Sequence, residues 1–140
     1  MHTTGIVIGW IIVAGYLFAV LNYFVKVVNR DLIAKMPPDA PFRKRYMRFM
    51  QAVVRSHVYV PLFLVTVILI HLMIEFIHEG FFITGVITFT LMVTQILLGA
   101  YGAYFKDRKR GRWFYAHRTV AILLFCAITV HAITGIVLNP

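Results

Sequence analysis

Four unbroken apolar runs dominate the chain, and each has the length of a bilayer crossing. They cover about residues 5–25 (GIVIGWIIVAGYLFAVLNYFV), 58–77 (VYVPLFLVTVILIHLMIEFI), 81–105 (FFITGVITFTLMVTQILLGAYGAYF) and 113–138 (WFYAHRTVAILLFCAITVHAITGIVL). A spanning helix needs about 20 mostly apolar residues. Membrane strands would instead alternate over about 10 residues, so the pattern predicts an all-α integral membrane protein, a single domain over residues 1–140. The polar stretch 29–52 reads as a loop, because Pro37, Pro38 and Pro41 stop the first helix from continuing. His78-Glu79-Gly80 reads as a tight turn and KDRKRGR at 106–112 as a short basic link. The first run has no basic region before it and no A-x-A-like site after it, so it is expected to stay in the mature protein as a span.

Composition excludes the soluble and disordered alternatives. The chain is 61% hydrophobic and 14% charged, with a mean hydropathy of +0.83; soluble domains are about half apolar and about a quarter charged, and disordered chains are far less apolar. The 14 Lys and Arg outnumber the 5 Asp and Glu, and all of them lie at or near the 29–52 and 106–112 connections. With four spans these two connections share a side, and the positive-inside rule makes that side cytoplasmic. Both termini and the His78–Gly80 turn are then outside, in what reads as a prokaryotic cytoplasmic membrane. Cations packed at helix ends are topology signals, so nucleic acid is not an expected partner. Arg43 to Arg55 are expected to lie along anionic headgroups. Spans 2 and 4 run parallel and spans 1 and 3 run against them, which predicts an up-down four-helix bundle.

Ionisable side chains inside a membrane are costly and mark function. Four histidines fall within or at the edge of spans 2 and 4: His57 and His71 on the second, His117 and His131 on the fourth, each pair 14 residues apart. Fourteen residues are about four turns less 40° and rise about 21 Å, so each pair shares a helix face. Because the two spans are parallel, His57 meets His117 at an inner level and His71 meets His131 at an outer one. A lone intramembrane histidine is ordinarily a polar-network residue, but matched spacings on parallel helices call for something held twice. A haem iron takes two imidazoles from opposite sides. Zinc does not suit levels about 21 Å apart. Cys126 is the only cysteine, so no C-x-x-C-H attachment exists and the haems would be noncovalent b-type, stacked between spans 2 and 4. Gly85 and Gly99 on span 3 are also 14 apart, and a glycine lets a flat macrocycle approach the backbone, although small residues also serve helix packing. On span 1, Ala19 follows Gly5 by 14.

This constellation resembles the four-helix di-haem core of cytochrome b from the quinol–cytochrome c oxidoreductase (bc and bf) complexes. The resemblance rests on topology and spacing over nearly the whole chain: His57 and His71 on the second helix, Gly85 and Gly99 on the third, His117 and His131 on the fourth. It implies two haem b groups with bis-His ligation and electron conduction across the membrane. The later helices and the quinol-oxidation motif of that family do not follow helix 4, so a complete Q-cycle is not implied.

Around these ligands, Pro61 should bend helix 2 near the inner haem. The carbonyls one turn back, at Val53, Val67, Trp113 and Ala127, are the expected acceptors for the second ring nitrogens. Arg55 and Arg118 flank the inner ligands and are candidates for the inner propionates; topology anchoring is their other reading. Glu75 and His78 share a face with His71 and suit either a proton relay for quinone or an interfacial position. Cys126 reads as a buried small residue. The expected function is a di-haem subunit carrying electrons between quinone and a docked redox partner. The alternatives are a haem-free membrane anchor or assembly subunit, and a small proton or metal transporter using intramembrane His and Glu.

Overall fold

The computed structural model describes residues 2–80, 82–105 and 111–138. Its elements are α1 (His2–Asp31), a 3-10 turn (Ile33–Lys35), α2 (Pro41–Glu79), α3 (Ile83–Tyr104) and α4 (Arg112–Leu138). Every regular element among the described residues is helical, and four of the helices are long and apolar enough to cross a membrane. The basic link at 106–110, with Lys106, Arg108, Lys109 and Arg110, and Phe81, the expected start of the third span, lie outside the described residues.

The helices form two compact units, Ile6–Val67 and Met1–Gly5 with Ile68–Pro140. In the first, α2 runs back along α1. A Cβ on Gly15 would meet the Leu64 side chain, and the Tyr46 hydroxyl donates to the Val25 carbonyl at 2.8 Å. Tyr16, Val25, Ile33, Val53 and Leu64 are buried in this unit. In the second unit α3 and α4 are antiparallel: Gly85 faces His131, Gly99 faces His117, and Gly102 faces Trp113. Met92, Leu124 and Ile128 are buried there, Leu124 completely. Large apolar side chains such as Trp10, Phe63, Ile122 and Phe125 are exposed, as lipid contact requires. The hydroxyls of Thr88, Thr90, Thr94 and Thr129 donate to carbonyls four residues back, which keeps them satisfied in an apolar medium.

Two expectations about the connections change. Residues 29–52 are not a loop. α1 continues to Asp31, and α2 begins at Pro41 and runs without interruption through Pro61 to Glu79. The prolines end one helix and open the next: Ala40 accepts the first bond of α2 from Lys44 at 3.2 Å, and Pro41 takes the first helical position, where its fixed φ and missing N–H cost nothing. The basic residues that follow are good helix formers. At 39 residues, α2 is about 58 Å long, nearly twice the hydrocarbon thickness of about 30 Å. Arg43 to Arg55 thus belong to the same continuous helix as the second apolar run. Arg48 precedes the apolar stretch by ten residues, about 15 Å along the helix. A spin label on Arg48→Cys, in a Cys126→Ser background, should therefore relax with a water-soluble nickel chelate and not with oxygen dissolved in lipid. A label on Phe63→Cys should do the reverse. The other connection is shorter than expected: His78 and Glu79 are still helical, and Gly80 ends α2 at φ +78°, the left-handed conformation that glycine adopts freely.

Candidate functional site

The His71/His131 tier lies wholly within the unit Met1–Gly5 and Ile68–Pro140. The two half-buried rings stand with centroids 6.3 Å apart and planes at 76°. α1, α2, α3 and α4 each bring one element to this tier. The backbone of Gly5 reaches the His71 ring. The Glu75 carboxylate occupies the place a Cβ on Gly5 would need, with Oε1 4.0 Å from His71 Nδ1. From α3, Gly85 lies under the His131 ring, whose Cε1 would be 3.3 Å from a Cβ there. Phe82 meets the same ring edge-on at 6.1 Å.

The second nitrogen of His131 is not bound by the carbonyl of Ala127, as expected. Its Nδ1 pairs with the Thr84 hydroxyl at 3.0 Å, which in turn lies 3.4 Å from the Thr134 hydroxyl. The physical reason is the direction of the side chain: the ring projects toward the facing helix, where the Thr84 hydroxyl lies. His71 Nδ1 has no hydrogen-bond partner among the described residues.

The other two histidines lie one in each unit. In the second unit the His117 ring packs over Gly99, with Cε1 3.4 Å from a Cβ there, beside Trp113 at 6.4 Å. Its Nε2 lies 3.2 Å from Gln95 Nε2. In the unit Ile6–Val67, the His57 ring meets the Ala19 backbone, and its Nδ1 has no hydrogen-bond partner among the described residues. Gly5 and Ala19, 14 apart on α1, thus serve the two α2 histidines, just as Gly85 and Gly99 serve the two α4 histidines.

Arg55 and Arg118 are exposed, and the Arg118 guanidinium lies 5.6 Å above the Phe114 ring. His78 is exposed at the end of α2. Cys126 is exposed too, a correction to its expected burial: in a helix apolar on all sides, hydropathy does not distinguish lipid from core. The sequence reading passed over Thr84, Thr134 and Gln95. The available signal was their register, since Thr84 precedes Gly85 directly and Gln95 precedes Gly99 by one turn.

Among the described residues, no three His, Cys, Asp or Glu side chains gather as an all-protein metal site would need. The arrangement instead offers pairs of imidazoles. An imidazole nitrogen binds a metal at about 2 Å, which puts the centroids of two opposed ligands roughly 6 to 6.5 Å apart. The His71–His131 separation fits that value; Gly85 lies under the His131 ring, whereas Gly5 is covered by the Glu75 carboxylate. The residues fit a haem, which His71 and His131 would hold. No protein-family model, no curated protein and no solved structure matches this chain.

Proposed function

We propose that this membrane protein is a di-haem b-type cytochrome subunit, similar in plan to the four-helix core of cytochrome b. It would carry electrons across the bilayer between quinone or quinol and a docked redox partner. The observation that carries the reading is the His71–His131 pair, 6.3 Å between ring centroids on two different helices, with Gly5 and Gly85 beside it. His71 and His131 hold one haem; by the 14-residue repeat, His57 and His117 hold the other. A bound haem supplies a one-electron couple whose potential is set by ligand type, burial and hydrogen bonding. The chain's own residues supply the opposed imidazoles, glycine backbone for close approach, and lipid-facing side chains that keep water away. Ligation by His117 Nε2 requires the Gln95 amide to turn from its present contact. The proposal includes an up-down bundle with the basic connections on the cytoplasmic side and both termini opposite.

The test is an optical spectrum of the purified protein. Reduced-minus-oxidised bands of low-spin haem, with two haems per chain by pyridine extraction, are expected. A colourless protein from haem-replete cells would overturn the reading in favour of an anchor or a transporter.

A further inference from the structure

We infer that Thr84 and Thr134 form a hydroxyl relay that fixes the tautomer of His131, placing the proton on Nδ1 and the lone pair on Nε2. The chain of contacts has a direction dictated by its end. The Thr134 hydroxyl donates to the backbone carbonyl of His131 at 3.0 Å, and a carbonyl can only accept. With its single proton committed, Thr134 can only accept from Thr84, 3.4 Å away. Thr84 then has no proton left for the ring, so at 3.0 Å it accepts from His131 Nδ1. A neutral imidazole that donates from Nδ1 carries its lone pair on Nε2.

The local fold commits Thr84 to this task. Thr88, Thr90 and Thr94 on the same helix send their hydroxyls to carbonyls four residues back. Thr84 is in the first turn of α3, and its hydroxyl turns to α4 instead. Gly85 allows the approach, because the His131 ring lies over it with only 3.3 Å between Cε1 and the place of a Cβ. The relay lies within one compact unit. The two rings of this tier are consequently unequal. His131 has a polarised Nδ1–H, which makes its other nitrogen a better donor to a metal. His71 Nδ1 has no hydrogen-bond partner among the described residues. Thr84 is thus a positioning residue that acts through His131.

The consequence for haem rests on the proposed function, whereas the tautomer does not, so the experiment reads both. In haem-free protein labelled with 15N-histidine and held in nanodiscs, the two His131 nitrogens should report the Nδ1–H form. Thr84→Val, of equal shape without the hydroxyl, should shift His131 toward the Nε2–H form. Thr134→Val should do so as well, because it releases the Thr84 proton toward the ring. Thr84→Ser should keep the original form. A wild-type His131 in the Nε2–H form would overturn the relay, as would a Thr84→Val spectrum identical to wild type. In haem-loaded protein, Thr84→Val should weaken binding of one haem about 10- to 100-fold and raise only that haem's potential, with Thr84→Ser restoring both. Equal shifts at both haems, or none, would overturn the link to ligation while the tautomer result stands by itself.

Discussion

On the proposed di-haem function, purified His71→Leu protein is expected to carry one haem per chain and the unsubstituted protein two. The substitution is chosen for the membrane: leucine is apolar and of similar bulk, so it removes a nitrogen without leaving a cavity or a buried polar group. His71 sits one turn from Glu75 in the continuous helix α2, and the α2 backbone does not depend on its side chain. His131 keeps its place over Gly85 and against Thr84, but it would be the only imidazole left to hold that haem. His131→Leu should remove the same haem, and the double substitution should remove no more than either single one. His78→Leu, at the exposed end of α2, serves as the control and should retain both haems. Loss of both haems in His71→Leu with full helicity, or loss of neither, would remove the basis for separate tiers.

The second large effect is at Gly102, and it does not depend on any cofactor. A Cβ at this position would overlap the six-membered ring of Trp113. Gly102 is in the last turn of α3 and Trp113 in the first turn of α4, so the indole sits on bare backbone where the two helices begin their antiparallel run. An indole has no flexible tip that can give way. Gly102→Ala must part the helix ends or swing the ring out, and overpacking of this kind costs about 1–3 kcal/mol, with Gly102→Leu at or above the upper end. The cost exceeds the roughly 1 kcal/mol that alanine gains over glycine in a helix, so the net effect is destabilising. Gly135→Ala on α4 has the opposite expectation, because nothing lies within 4 Å of a Cβ there. Thermal unfolding in detergent micelles should therefore move downward for Gly102→Ala and not for Gly135→Ala. Pairing Gly102→Ala with Trp113→Ala should recover part of the loss, a coupling that a double-mutant cycle reads directly.

The spans were legible because lipid imposes a simple rule: a crossing helix must be apolar for about 20 residues, and all four runs are. Where that rule stops, the reading failed. Residues 41–52 are polar and follow three prolines, which read as a loop; yet Pro41 is a helix starter, and Tyr46 reaches back to Val25, a contact 21 residues away that no local pattern announces. Cys126 failed for a related reason, since an all-apolar helix carries no periodicity to say which face meets lipid.

The site divides in the same way. The 14-residue repeats of His57 with His71, His117 with His131, Gly85 with Gly99, and Gly5 with Ala19 are written in the chain, because helix geometry turns spacing into a shared face. Those repeats named the four histidines and, on α3, Gly85 and Gly99; on α1 the Gly5–Ala19 spacing was no complete glycine pair. Which small residue meets which ring, and that Thr84 rather than Ala127 binds His131 Nδ1, depends on the rotation and register of one helix against another. That register is settled by contacts such as the Trp113 indole on Gly102 and the burial of Leu124. Sequence by itself thus determined the helices and the shared face of each histidine pair, since both follow from the period and rise of a single helix. The tertiary structure alone decided the partners of each ring, since those arise only where two helices face one another.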